Sequence, residues 1–231
     1  MIALLLSLTL CSGSPDLDQI FSPCVRISMP SGSTGSGIVV YAGEGESLIL
    51  TAAHLFQDGN EDASIDVFER ADSGEILEVK TFPGCLVARD EDEDLAVLVV
   101  DVRLNYVARI LPEYKHLRVM QRVTAVGCPK GLFPVATRGR IFFLGKAWFD
   151  LKYVGATANI FLGNSGGPLL VKVDGNWLVA GVSSRIQSNI FTGQVITHLG
   201  YYISPERIRE FFLNHGLVCI LNNSGGRTWR I

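Results

Sequence analysis

Short runs of apolar and β-branched residues alternate with turn-forming residues along most of the chain. Such runs predict β-strands, and they cover Ile38–Tyr41, Leu48–Leu50, Leu95–Val100, Val119–Val126, Ile141–Leu144, Leu169–Val173 and Trp177–Val182. Asp174 and Gly175 separate the last two runs and favour a tight hairpin turn. Because no long amphipathic pattern occurs among these runs, the sequence predicts a chain that is mostly β.

A helix is predicted near the C-terminus. Ser204 suits an N-cap, and Pro205 suits the first helical turn. Ile208 and Phe212 then fall on one face, and Gly216 favours the end of the helix.

The composition is typical of a folded chain. Of the 231 residues, 48% are hydrophobic and only 19% are charged, so disorder is excluded. The formal net charge of −3 argues against a general nucleic-acid binder, because phosphate contacts require a basic surface.

Residues 1–13 resemble a secretion signal, which predicts a secreted or periplasmic protein. The run from Met1 to Leu10 is almost wholly apolar, and small residues follow it. The run is too short to cross a bilayer, so no stable membrane span is expected. No Lys or Arg precedes it, and the alternatives are a buried first segment or a wrongly assigned start codon.

Four of the five cysteines lie beyond this leader, and they are Cys24, Cys85, Cys128 and Cys219. Four cysteines can pair in three ways, and free buried thiols are the alternative. Their spacing does not fit a zinc site, and we expect neither a metal nor a cofactor.

The strongest chemical signal is the segment Gly-Asn-Ser-Gly-Gly-Pro at 163–168, which precedes an apolar strand. A serine hydroxyl is a poor nucleophile unless a base removes its proton, and acyl transfer creates an oxyanion that needs N–H donors. Ser165 is the candidate nucleophile, and the amides of Gly163 and Ser165 are the candidate oxyanion hole. The alternative is a glycine-rich loop between strands.

Two further segments carry the groups that a serine nucleophile needs. The strand Leu48–Leu50 leads through small residues to His54, whose neutral imidazole is a natural proton acceptor. Asp94 stands directly before Leu95–Val100, where a carboxylate can orient an imidazole. The acidic residues at 90–93 are expected to form a solvated loop, with a calcium site as the alternative.

These segments, in the order His, Asp, Ser, resemble the motif blocks of the chymotrypsin/trypsin clan. They are Thr-Ala-Ala-His at 51–54, Asp-Leu-Ala-Val-Leu at 94–98 and Gly-Asn-Ser-Gly-Gly-Pro-Leu at 163–169. The bacterial Deg/HtrA branch is the closer likeness, through Gly-Ser-Gly-Ile at 35–38, Val-Gly-Cys-Pro-Lys-Gly at 126–131 and Tyr-Tyr-Ile-Ser-Pro at 201–205. The resemblance implies a serine endopeptidase that works through an acyl-enzyme intermediate, with His54, Asp94 and Ser165 as its catalytic triad.

The resemblance also implies a fold. We expect an all-β chymotrypsin-like fold of two perpendicular six-stranded β-barrels with a C-terminal helix, and with the triad between the barrels. The first barrel is expected over residues 22–112, and the second barrel with the helix over 113–216. Residues 217–231 are expected to form a tail.

Only the family resemblance indicates which residues line the substrate pocket. Its expected lining residues are Asn159, Ser183, Ser184, Arg185 and Gly200. Asn159 is uncharged where trypsin-type enzymes have an aspartate, so we expect a medium apolar side chain to be preferred over Lys or Arg. Because of Arg185, an acidic side chain is the alternative.

Several departures from the family pattern carry expectations of their own. Asn164 replaces the aspartate of zymogen-activated relatives, so we expect activity without trimming, with the oxyanion turn held by hydrogen bonds of the Asn164 amide. Phe161 and Leu162 replace the Asn-Pro of the Deg branch, which predicts a different loop shape. No PDZ module is expected, because the sequence ends soon after the helix. The alternative function is a catalytically silent domain that binds peptides or a partner protein.

Overall fold

A computed structural model of the chain describes residues 15–57, 59–189 and 191–222. The secretion signal predicted at 1–13 and residues 223–231 of the predicted tail lie outside these ranges. The first part of that tail forms a short helix, Val218–Asn222, and its Ile220 is buried in the core.

The first barrel is closed by six antiparallel strands. They are β1 (Cys24–Ser28), β2 (Thr34–Ala42), β3 (Ser47–Thr51), β4 (Asp62–Arg70), β5 (Ile76–Asp90) and β6 (Leu95–Val100). The strands pair in the order β1–β2–β3–β6–β5–β4, and β4 returns to β1. Side chains such as Ile27, Ile49, Ile65 and Leu98 fill its interior.

The second barrel is formed by β8 (Arg122–Gly127), β9 (Val135–Ala147), β10 (Leu151–Ala156), β11 (Pro168–Val173), β12 (Asn176–Ser188) and β13 (Val195–Ile203). These strands pair in the order β11–β8–β9–β10–β13–β12, and a β11–β12 pairing closes the barrel. The short strand β7 (Arg109–Ile110) adds to β12 in parallel. The second sheet therefore begins at Arg109, before the boundary drawn from sequence at residue 113. The expected fold class, two closed six-stranded barrels with a C-terminal helix, is confirmed.

Helices flank the barrels. α1 (Pro15–Phe21) precedes the first barrel, and α2 (Pro205–Asn214) follows the second, with Val218–Asn222 as α3. The predicted N-cap of α2 is confirmed, because the Ser204 side chain accepts a hydrogen bond from the backbone N–H of Arg207. Among the described residues, no helix combines the length and the apolar character that a membrane crossing requires.

The apolar runs located seven of the thirteen described strands, and they missed largely buried strands such as β1 as well as exposed ones such as β5. β5 buries only Gly84 along its 15 residues, and the side chains of its short apolar run at 85–88 alternate between exposed and half-buried. The strand predicted from Val119 begins at Arg122, because Met120 adopts a left-handed φ of 70° in the preceding turn. The hairpin turn between β11 and β12 is as predicted, with φ values of 48° at Asp174 and 82° at Gly175.

Candidate functional site

His54 and Asp94 meet where two paired strands of the first barrel end. His54 follows β3 in a short 3-10 turn, Asp94 immediately precedes β6, and these strands are neighbours. His54 Nδ1 lies 2.9 Å from Asp94 Oδ1 and 3.1 Å from Oδ2. The backbone N–H of His54 also donates to Oδ1, at 3.0 Å. Because Nδ1 faces the carboxylate, Nε2 is the ring nitrogen left to accept a proton.

The Asp94 carboxylate is buried and has a second side-chain donor. The residue adopts a left-handed φ of 54°, which aspartate tolerates better than most residues. The Ser184 hydroxyl donates to its Oδ2. Burial raises the pKa of Asp94, but the contacts with His54 and Ser184 outweigh burial and hold that pKa below its usual value.

Ser184 is a contact of Asp94 that the sequence did not predict. The sequence assigned it to the substrate pocket, whereas its hydroxyl is committed to the Asp94 carboxylate. No local pattern could have indicated this contact, because Ser184 lies on β12 of the second barrel and Asp94 at the edge of the first.

The acidic residues at 90–93 were predicted to form a solvated loop, but one of them, Glu93, is held by an ion pair. Arg207 on α2 donates from Nε to Glu93 Oε2 at 2.6 Å and from Nη2 to the Glu93 carbonyl oxygen at 3.0 Å. The Arg207 side chain is only 4% exposed, so this is a largely buried ion pair. The C-terminal helix thus fixes the turn from which Asp94 projects.

Ser165 lies in a loop that is packed against the first barrel. The backbone N–H of Ser36, on β2, donates to the Ser165 carbonyl oxygen at 2.8 Å. The Ser36 hydroxyl donates to the Gly163 carbonyl oxygen at 2.7 Å. A Cβ atom on Gly166 would lie 2.2 Å from the Ser36 carbonyl oxygen, so this approach requires a glycine.

The same loop brings Ser165 near the other two candidate residues. Gly166 also approaches Ala52, two residues before His54. The Gly166 N–H donates at 2.8 Å to the carbonyl oxygen of Ser183, the neighbour of Ser184. Within the described part of the chain, no hydrogen bond joins the Ser165 hydroxyl to His54. In substrate-free enzymes this bond is often long and tightens only when substrate binds.

The candidate oxyanion amides are unused by the protein itself. Among the described residues, neither the Gly163 N–H nor the Ser165 N–H donates to a backbone or side-chain acceptor. Gly163 has a φ of 98°, which glycine adopts without strain. Both donors are therefore available to a ligand oxygen.

The Asn164 backbone takes part in the turn, because its N–H donates to the Phe161 carbonyl oxygen at 3.0 Å and its carbonyl oxygen accepts from the Gly167 N–H at 2.9 Å. The Asn164 side chain is buried, and no donor in residues 15–57, 59–189 or 191–222 hydrogen-bonds its Oδ1. The loop is also held by the two Ser36 bonds and by the Lys130 N–H, which donates to the Leu162 carbonyl oxygen at 2.8 Å.

The remaining pocket candidates lie on neighbouring segments. Asn159 is exposed, and its carbonyl oxygen accepts a hydrogen bond from the Thr137 hydroxyl at 2.6 Å. Ile160 packs over Gly200, where a Cβ atom would lie 2.7 Å from Ile160 Cδ1. Gly200 is paired with Ile186 on β12.

Ser183 and Arg185 lie on the part of β12 that leads to Ile186. Ser183 is buried, and it exchanges backbone hydrogen bonds with the nucleophile loop. Arg185 is exposed, with its guanidinium carbon 5.8 Å from the centre of the Trp148 ring. Arg185 is thus available to a ligand, whereas Ser183 contributes backbone only.

Comparisons with known proteins agree with this architecture. The family model described as "Trypsin-like peptidase domain" matches residues 35–182. Serine protease HTRA2, mitochondrial, of Bos taurus is 31% identical over 186 residues, which cover 78% of this chain and 35% of that protein. The periplasmic pH-dependent serine endoprotease DegQ of Escherichia coli is 28% identical over 147 residues, covering 62% of this chain and 30% of that protein.

A solved structure has the same fold. The crystal structure of Deg5 superposes with a TM-score of 0.63 at 26% identity, covering 84% of this chain and 90% of that chain. The chain spans about a third of the length of the two curated relatives named above. The sequence-based likeness to Deg/HtrA proteases is confirmed.

The position of Ser36 generates a stability prediction. Ser36→Ala leaves the Gly163 carbonyl oxygen and the Cys128 N–H, which donates to Ser36 Oγ at 2.8 Å, without that partner. Loss of buried hydrogen bonds of this kind costs about 1–3 kcal/mol of unfolding free energy. Urea unfolding measures it, and Ser33→Ala, at an exposed serine just before β2, should change stability by less than about 0.5 kcal/mol. Equal effects from the two variants would refute the role given to Ser36.

The pKa of Asp94 generates a pH prediction. A carboxyl whose pKa is lower in the folded than in the unfolded state adds stability above the unfolded value and loses it as pH falls through the folded value. The stability advantage of the wild type over Asp94→Asn should therefore be constant above about pH 5 and shrink below about pH 4. Urea midpoints of both proteins across this range measure the difference. A difference that stays constant into acid would show that the Asp94 pKa is not lowered.

Proposed function

Because the chain belongs to the trypsin-like peptidase domain family, we propose that it is an active serine endopeptidase that hydrolyses peptide bonds through an acyl-enzyme intermediate. The observation that carries the proposal is the 2.9 Å contact between His54 Nδ1 and Asp94 Oδ1, beside the loop of Ser165. This contact fixes the imidazole so that Nε2 can serve as the base.

In the proposed mechanism, Ser165 Oγ attacks the scissile carbonyl carbon while His54 Nε2 removes its proton. Asp94 stabilises the imidazolium that forms, and it remains ionised because its contacts hold its pKa low. The oxyanion accepts hydrogen bonds from the free N–H groups of Gly163 and Ser165. His54 then protonates the leaving amine. In the second step His54 removes a proton from water, the water oxygen attacks the acyl carbon, and Ser165 Oγ leaves and regains its proton from His54.

Ser184 acts in this mechanism through Asp94 and is therefore a positioning residue. Its hydroxyl and the two donors of His54 share the carboxylate oxygens, so the carboxylate has little freedom to rotate. A fixed carboxylate keeps the proton on Nδ1 and leaves Nε2 unprotonated, which is the tautomer that a base requires.

The proposed substrate is a protein or peptide with a medium apolar side chain in the primary pocket. Ile160 is buried against Gly200 and makes the backing of this region apolar, and Asn159 offers no charge. Arg185 is the cationic side chain in this region and would repel a Lys or Arg of the substrate. Export from the cytoplasm is proposed from residues 1–13 and accords with the periplasmic location of the relative DegQ.

The triad proposal predicts the effect of single substitutions. Ser165→Ala and His54→Ala should each lower kcat on the order of 10⁶-fold. Asp94→Asn should lower it on the order of 10⁴-fold, because the wrong imidazole tautomer is favoured. Peptide hydrolysis measures these losses, and Ser73→Ala, at an exposed serine between β4 and β5, is the matched control with unchanged activity.

A fluorophosphonate probe distinguishes this function from the silent alternative, since it labels only an activated serine. Labelling of wild type that is lost in Ser165→Ala supports the proposal. A folded wild-type protein that is never labelled would instead support a domain that binds peptides without cleaving them.

The pocket assignment predicts the cleavage pattern. A peptide-library digest should show medium apolar residues before the cleaved bonds and few Lys or Arg. Arg185→Ala should raise the share of basic residues at that position, because it removes a like charge, while Arg209→Ala on α2 should not change the pattern. A wild-type map dominated by Lys and Arg would contradict the assignment.

A further inference from the structure

Two of the described cysteines are buried together between the barrels. Cys24 begins β1 in the first barrel, and Cys128 follows β8 in the second. They are 1% and 0% exposed, and both belong to the same hydrophobic cluster. Cys85 and Cys219, by contrast, are exposed.

The backbone geometry turns these two residues toward each other. The Cys128 N–H donates to Ser36 Oγ on β2, and Arg26 Nη1 donates to the Gly131 carbonyl oxygen at 2.6 Å. Cys24 and Arg26 are two residues apart on β1, so they lie on the same face of that strand. The face that carries Cys24 therefore packs against the turn at 128–131.

Both residues are free thiols in the structure, and their side chains interact. Interaction with the Cys128 thiol is the largest cause that raises the pKa of Cys24, followed by burial, and together they outweigh the opposite effect of Arg70. A buried thiol that stays protonated is a poor nucleophile, so the pair is not a redox-catalytic site in the folded protein. Within the described residues, no group of three or more His, Cys, Asp or Glu side chains could hold a metal here.

We propose that Cys24 and Cys128 form a disulfide that links β1 of the first barrel to the turn at 128–131 of the second. This turn supports the nucleophile loop, because the Lys130 N–H donates to the Leu162 carbonyl oxygen at 2.8 Å and a Cβ on Gly163 would touch the Cys128 carbonyl oxygen. The disulfide assigns one of the three pairings that the sequence left open, and it does not depend on the proposed function.

The bond forms during folding, before the thiols are buried, with a small-molecule disulfide such as oxidised glutathione as the oxidant. One cysteine thiolate attacks the glutathione disulfide and releases one glutathione thiolate. The second cysteine thiolate attacks the protein sulfur of the mixed disulfide and releases another. The two protein thiols are oxidised, one glutathione disulfide is reduced to two thiols, and the two protons lost by the cysteines pass through solvent to the released thiolates.

The test begins with the wild-type chain refolded in a glutathione redox buffer and then freed of it. Free thiols are alkylated in denaturant, and the unreduced protein is digested and analysed by mass spectrometry. The expected result is a linked pair of peptides that contain Cys24 and Cys128, together with alkylated Cys85 and Cys219. Alkylation of all four residues, or a link through Cys85 or Cys219, overturns the proposal.

A stability measurement tests the same bond independently. The disulfide closes a long loop, so reductant should lower the urea midpoint of the wild type by on the order of 1 M. The double variant Cys85→Ser with Cys219→Ser, which changes only exposed thiols, should keep this shift. Cys24→Ala and Cys128→Ala should each lose it, and because each protein is compared with itself, the cavity left by the substitution cancels. A shift that persists in Cys24→Ala overturns the proposal, and if neither alanine variant folds, the wild-type peptide map decides.

Discussion

The hydrogen bonds of Ser36 are the interaction on which the arrangement of the site depends. This serine is fully buried on β2 of the first barrel, yet its bonds reach the second barrel at Ser165, Gly163 and Cys128. A buried polar group costs free energy unless it is paired, so any relative movement of the barrels would expose several unmet groups at once. Because residue 166 is a glycine and has no side chain, the nucleophile loop can approach β2 closely enough to form these bonds. The nucleophile loop is thus a fixed part of the barrel interface.

The Asp94 carboxylate is the second point at which both barrels contribute. Its burial disfavours the charged form, and the donors that compensate come from His54 in the first barrel and Ser184 in the second. Arg207 of the C-terminal helix holds the preceding residue, Glu93. A carboxylate kept ionised in a largely dry site is what an imidazolium partner requires. Helix α2 therefore contributes to the geometry of Asp94, although the two are far apart in the sequence.

The fold class and the residues of the candidate site could be predicted because short segments of the sequence indicate both. Apolar runs gave seven of the thirteen described strands, and short segments around His54, Asp94 and Ser165 carried the chemistry. The contacts that hold these residues could not be predicted in the same way. Ser184 to Asp94 and Arg207 to Glu93 join distant segments, and no composition or spacing marks them. β5 was missed for a different reason, since its apolar run at 85–88 is short and the rest of the strand mixes polar and apolar residues.

The oxyanion loop, which includes the uncharged Asn164, is held by neutral groups. An aspartate at this position would need a cation, and the activity would then depend on how that cation is supplied. Among the described residues no ion pair reaches the loop, and its bonds come from the neutral Ser36 hydroxyl and from backbone groups. Neutral donors and acceptors of this kind do not titrate near neutral pH. The shape of the loop should therefore be independent of pH near neutrality.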